Sequence, residues 1–158
     1  AGFVLLFTVP MVRILINSGV NAADLPSMPI AMARWVADSV GNVYPLLAPS
    51  VGALGAFIAG SNTVSNMMLS QFQFGVATSL GVSTAMIVAV QAIGAAAGNM
   101  VAIHNVVAAS ATVGLLGREG AILRKTFWPT VYYVLMTGAV AMIAIYVLGV
   151  SDPLLAAG

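Results

Sequence analysis

The sequence predicts an all-α integral membrane protein, with spanning helices, a re-entrant helical hairpin and a discontinuous helix. Three observations carry this expectation. The 158 residues are 61% hydrophobic and only 6% charged, whereas soluble domains run near 25% charged. The mean hydropathy is +1.06, more apolar surface than a fold of this size can hide from water, so lipid is the solvent. Between Ser39 and Gly117 there is no Asp, Glu, Lys or Arg. That tract nevertheless holds GSNTVSN at residues 60–66 and the pair His104–Asn105. Polar groups are costly in hydrocarbon, so each is a candidate for a packing partner or a substrate site.

Composition also excludes classes. A net charge of +1 rules out electrostatic nucleic-acid binding as a main activity. With no Cys there are no disulfides or thiolate metal sites, and one His among four scattered carboxylates argues against a structural metal.

Residues 1–26 read as the end of a membrane helix and a polar connection. GFVLLFTVP starts in mid-hydrophobic run, Pro10 kinks it, Arg13 can snorkel to headgroups, and Ser18-Gly19 closes it. With no initiator Met and no basic region ahead of it, the run does not read as a signal peptide. The chain is expected to be the C-terminal piece of a longer membrane protein.

Residues 27–42 predict a short amphipathic helix with Ser27 as cap and Pro29 in its first turn. Met28, Met32, Trp35 and Val36 share one side; Arg34 and Asp38 share another. The helix either lies in the interface with Trp35 at headgroup depth or connects its neighbours while packed on protein.

Residues 43–81 predict two apolar arms, 44–60 and 64–80, joined by Ser61-Asn62-Thr63. The first arm is rich in small residues (Ala48, Ser50, Gly52, Ala53, Gly55, Ala56) that permit close packing. The second carries Ser70, Gln71 and Gln73, poor residues to face lipid. Both features fit a re-entrant hairpin with its tip near mid-membrane; an ordinary helical hairpin with an uncharged loop is the other reading.

Residues 82–117 are too long for one straight span, since as far as Leu116 they would reach roughly 50 Å against a core of about 30 Å. A discontinuous helix broken near Gly98 fits better, Gly there allowing unwound geometry. Residues 118–125 form the only charge cluster and predict a cytoplasmic basic loop marked by Arg118, Arg124 and Lys125. Residues 126–158 predict the last spanning helix, anchored by Trp128, Tyr132, Tyr133 and Tyr146, and an outer tail. Counted backward from that loop, the hairpin opens to the outside.

Two helix N-termini then converge in the membrane, one after the hairpin tip and one after Gly98-Asn99. Such ends present unsatisfied N–H groups and partial positive charge, and paired interrupted helices are a pointer to a transporter site for an anionic substrate. Ser61, Asn62, Thr63, Ser65, Asn66, Gly98 and Asn99 are the candidate substrate-binding residues. A small carboxylate could be held there without Arg, and the same oxygens could bind Na⁺. Ser70, Thr84 and Thr112 are equally well read as packing residues that hydrogen-bond neighbouring helices, and Gln91 as structural.

GSNTVSN, the following SQFQ, then AAAGNMVAIHNVVAASATVGLLGREG and the closing helix resemble the C-terminal region of the L-lactate permease family. The Ser61-Asn62-Thr63 triplet is also similar to the tip motif of Na⁺-coupled dicarboxylate carriers. The resemblance covers most of the chain from about Val43. It implies a bacterial inner-membrane, multi-pass symporter of lactate, glycolate and similar short 2-hydroxy monocarboxylates with protons. It also implies half of an inverted-repeat, elevator-type carrier, whose other half lies in the missing N-terminal part, and it leaves room for a homo-oligomer. Proton coupling needs a group that titrates near neutral pH, as His does at about 6.5. His104, with Asn105 beside it, is the candidate, because no carboxylate competes between Ser39 and Gly117. No cofactor is expected beyond the coupling ion. A Na⁺-coupled organic-anion carrier and a non-transporting membrane subunit are the alternatives. An intramembrane enzyme would want paired Asp, Ser-His or His-Glu groups at depth, and the charge-free core offers only Ser and one His.

Overall fold

The computed structural model describes residues 2–152, with side chains for residues 6, 7 and 9–152. Seven α-helices occur among the described residues: α1 Gly2–Ile16, α2 Met28–Val40, α3 Tyr44–Ala59, α4 Asn62–Leu80, α5 Thr84–Gly98, α6 Ile103–Thr112 and α7 Glu119–Met142. The chain is therefore an all-helical membrane protein, as its composition requires. Met28–Ala59, counted through the turn at residues 41–43, and Glu119–Val147 are each long and apolar enough to cross a membrane. α5 and α6, bent by 46° at their break, make a third span if taken together. The outer tail expected at the C-terminus falls mostly on residues 153–158, outside the described residues.

α3 is the centre of the bundle, because small residues let its backbone touch others. A Cβ added to Gly94 would lie 2.0 Å from the Pro49 carbonyl oxygen, and one on Gly98 would lie 2.1 Å from that of Ala53. Partners that rise together in number, 49 with 94 and 53 with 98, make α3 and α5 parallel. From α3, Gly52 returns the contact against the Gln91 carbonyl. α7 meets the far end of α3, where a Cβ on Gly138 would lie 2.3 Å from Leu46 O, while Leu123 and Phe127 sit beside Ala53 and Phe57; it is antiparallel to α3. Close backbone approach through small residues is the main packing device available when lipid is as apolar as the core.

The apolar core lies away from the hairpin tip, where Tyr44, Ala48, Phe72, Val76, Ile87, Val90 and Ala141 pack together. Beside it, α2 buries Pro29, Ala33 and Ala37, and Ala33 Cβ would stand 2.9 Å from a Cβ on Gly75 of α4. So α2 does pack on protein, through its smallest residues. Met28, Met32 and Trp35 stay 56%, 58% and 70% exposed, whereas Val36 leaves that stripe and packs on the core. Ser27 holds the N-cap position without a side-chain bond; the Met28 N–H instead donates to Ser18 Oγ at 2.8 Å. α1 includes Pro10 and buries Val12.

Three boundaries differ from expectation. The hairpin joint is Gly60-Ser61 alone, because Ser61 caps α4 by accepting from Val64 N at 3.3 Å, and Asn62 and Thr63 already belong to its first turn. Gly98 does not unwind: it is the last regular residue of α5, and its missing Cβ serves the approach of Ala53. The break falls at residues 99–102, closed by Met100 N→Ala97 O at 3.1 Å and Val101 N→Gly98 O at 3.2 Å. Arg124 and Lys125 are not in a loop but in the second turn of α7, since nothing from Glu119 onward interrupts helix until the π turn at Ile143–Val147. Beyond that turn Asp152 Oδ2 accepts from Thr84 N at 2.6 Å and Thr84 Oγ1 at 2.5 Å, tying the end of α7 to the start of α5.

Candidate functional site

The hairpin tip, the α5–α6 break and the first turn of α6 meet around Gly60. Gly60 adopts φ 62°, ψ 21°, the left-handed conformation that ends α3 and that side chains resist. His104 fills the space a side chain would take: Nε2 lies 1.1 Å from the position of an added Cβ. Asn105 completes the contact, with Nδ2 donating to Gly60 O at 3.2 Å and to Asn99 Oδ1 at 3.4 Å. One amide thus joins the tip of one element to the break in another.

The local sequence explains the arrangement. Ala102 takes the N-cap position of α6 without a side-chain cap, and the first intrahelical bond is Val106 N→Ala102 O at 3.0 Å. The N–H groups of Ile103, His104 and Asn105 precede that bond, as those of Asn62 and Thr63 precede the first bond of α4, Ser65 N→Ser61 O at 3.0 Å. Two helix N-termini, each with spare donors and partial positive charge, therefore adjoin one glycine. Thr63 and His104 are exposed, while Ser61, Asn62, Asn99 and Asn105 are half-buried.

The residues singled out from sequence divide here. Ser61, Asn62, Thr63, Asn99, His104 and Asn105 come together at the tip. Asn99 does so from the C-terminus of α5, not from a helix N-terminus, because the break begins with it. Ser65 faces inward: it is fully buried, and its Oγ donates to Gly52 O at 2.9 Å. Gly98 is buried against α3. Asn66 links the tip to the interior, donating through Nδ2 to Asn62 Oδ1 at 3.1 Å.

Behind the tip runs a hydrogen-bonded chain that residue type alone did not reveal. Tyr44 OH donates to Gln73 Oε1 at 2.5 Å. Gln73 Nε2 donates to Ala48 O at 2.9 Å and Gln91 Oε1 at 2.8 Å. Gln91 Nε2 donates to Ser65 Oγ at 3.3 Å and, at 3.5 Å, to Asn66 Oδ1. Gln73 and Gln91 are both fully buried. The signal in the sequence was their presence in apolar tracts with no charge nearby, which demands partners. Gly60 was also missed as a site residue; its signal was a glycine directly before a Ser cap, between two helical arms.

The family model described as L-lactate permease matches residues 1–148. A Haemophilus influenzae protein is 38% identical over 107 residues, 68% of this chain and 20% of its own length. The L-lactate permease of Escherichia coli is 32% identical over 108 residues, 68% of this chain and 20% of its own length. The glycolate permease of the same organism is 30% identical over 107 residues, 68% of this chain and 19% of its own length. No solved structure matches. The chain spans about a fifth of the length of these relatives. With 148 of its residues matched and an all-helical, apolar fold to carry them, the chain belongs to the L-lactate permease family, a family of membrane permeases and not of enzymes.

Proposed function

We propose that this chain is the C-terminal part of a secondary active transporter in a bacterial inner membrane, taking up L-lactate, glycolate and similar short 2-hydroxy monocarboxylates by proton symport. The observation that carries the proposal is the junction of the α4 and α6 N-termini at Gly60. Free N–H groups and helix dipoles there suit a carboxylate, and no Arg is required. Asn62, Thr63 and Asn99 add amides and a hydroxyl of the right reach for a 2-hydroxyl group. His104 lies against the same glycine, so a proton carried on the imidazole and an anion bound at the tip would be neighbours and would travel together. The relatives' names, L-lactate permease and glycolate permease, support a short 2-hydroxy monocarboxylate as the substrate in this reading. The other half of the site comes from the remainder of the full-length carrier.

The test is uptake of labelled lactate by the full-length carrier in vesicles, with a pH gradient or a Na⁺ gradient imposed. A pH gradient should drive accumulation and a Na⁺ gradient should not; the reverse would replace protons with Na⁺ as the coupling ion. In the same system Asn62→Ala should weaken apparent affinity roughly tenfold, as loss of a hydrogen bond to a charged ligand costs about 1.5–3 kcal/mol. His104→Gln should abolish pH-driven accumulation while sparing lactate exchange at equilibrium. Unchanged accumulation in His104→Gln would move the proton site elsewhere in the carrier.

A further inference from the structure

At the junction between α3, the α5–α6 break and α7 lies an apolar groove of about 450 Å³, walled by Ala53, Leu54, Phe57, Val101, Leu123 and Phe127. A second hollow of about 450 Å³, lined by Leu123, Arg124, Phe127 and Trp128, shares Leu123 and Phe127 with the first. The two thus adjoin along the second and third turns of α7. One end is wholly apolar; the other carries a guanidinium, with Lys125 next in sequence.

Among the described residues no carboxylate pairs with the cations there. Arg124 and Lys125 are exposed. Glu119, the one carboxylate between residues 39 and 151, turns back to accept from Gly117 N at 2.9 Å. Trp128 is 71% exposed and stacks edge-on with Phe127 at 5.6 Å, an aromatic placed as such rings are at headgroup depth. An apolar trough with a basic, aromatic rim matches an amphiphile whose head is negative.

We propose that this groove holds one anionic phospholipid, its phosphate on Arg124 and Lys125 and an acyl chain laid along Leu123 and Phe127 toward Ala53 and Leu54. Charge decides the occupant: basic residues beside a membrane surface select anionic headgroups over zwitterionic ones. Apolar walls give no purchase to a small hydrophilic anion, and none of the polar residues of the junction at Gly60 lines them. The proposal does not depend on what the carrier transports.

The experiment places a fluorophore on Leu54→Cys in the full-length carrier, in a background cleared of other cysteines. Brominated-chain phosphatidylglycerol or brominated-chain phosphatidylcholine is then titrated into otherwise unlabelled phosphatidylcholine bilayers. Two basic residues should give phosphatidylglycerol a roughly tenfold lower half-quenching mole fraction than phosphatidylcholine. Arg124→Gln with Lys125→Gln should remove that preference while leaving quenching by phosphatidylcholine intact. Equal quenching by both lipids in the unaltered rim would reduce the groove to ordinary lipid contact and overturn the proposal. No quenching by either lipid would show that protein fills it, with the same consequence. The comparison of lipids on the unaltered rim decides the matter even if the charge variants fail to fold.

Discussion

Replacing Gly60 with alanine isolates what the contact with His104 does. Two terms apply. The left-handed backbone, φ 62°, costs an alanine about 1–2 kcal/mol. The new methyl would also occupy the place of the imidazole, whose Nε2 is 1.1 Å from it. Because His104 is exposed, the ring can rotate away, so this second term is small in stability, on the order of 0.5–1.5 kcal/mol for a displaced rotamer. It is large in position, because the ring no longer lies over the tip. Gly81 supplies the control: it ends α4 with φ 67°, yet nothing lies within 4 Å of its missing Cβ. Gly60→Ala and Gly81→Ala should therefore lose similar stability when the full-length carrier is unfolded in detergent, differing by about 1.5 kcal/mol at most. Only Gly60→Ala should lose pH-driven lactate uptake. Combined with His104→Ala, the same substitution should remove no further uptake, because the displaced group is already gone. If Gly60→Ala transports like the parent, or if Gly81→Ala fails as badly, the ring's place on the tip is irrelevant to transport.

Two further outcomes follow from the packing. In Gly98→Ala the methyl would meet the Ala53 carbonyl oxygen at 2.1 Å, a backbone atom that cannot step aside, and overpacking of this kind costs about 1–3 kcal/mol. A thermal melt of the carrier should show that loss, whereas Gly120→Ala, open within 4 Å on α7, should leave the melt unchanged or raise it. Gln91→Ala would leave one of the two Gln73 Nε2 hydrogens without its acceptor, the other still donating to Ala48 O, and remove the donor to Ser65, at about 1–3 kcal/mol for a buried group left unpaired. Detergent unfolding should report this against Thr78→Ala, whose exposed hydroxyl bonds only its own helix at Phe74 O; equal midpoints for the two variants would refute the role given to Gln91.

Much of the fold was legible because periodicity and charge act locally. The long charge-free tract and the small-residue first arm foretold α3 and α4, though the joint between them is shorter than the Ser61-Asn62-Thr63 expected. Contacts between helices were not legible from one strand of residues. Gly98 looked like a hinge, and only the passage of Ala53 shows that it is a packing surface. Ser65 sits within a polar motif, yet a helical turn rotates it away from Asn62 and into Gly52. The α5–α6 break was expected near Gly98 and begins one residue later, because Gly and Asn are read as breakers when no neighbour is known, while Ala102, with no polar cap, gives no sign of starting a helix. Gln73, read as a poor residue to face lipid, and Gln91, read as structural, proved to complete each other. Their pairing is set by helices 18 residues apart in sequence, beyond the reach of any local rule.

The chain of bonds from Tyr44 to Asn62 bears on how the protein is made. α3, with 16 residues, and α5, with 15, are each about 24 Å long or less, short of a bilayer core of about 30 Å. Released singly into lipid, α4 would carry Gln73 and α5 would carry Gln91 with no partner for either amide, at a cost of roughly 1–3 kcal/mol for each unpaired group. Each helix is thus a poor passenger alone, and each supplies what the next one lacks: Ala48 O and Tyr44 for Gln73, Gln73 for Gln91, Gln91 for Ser65. The three segments should leave the insertion machinery as a group, held back until α5 has emerged. Synthesis stalled before Gln91 would then leave a hairpin still resting against the machinery and not yet in the bilayer.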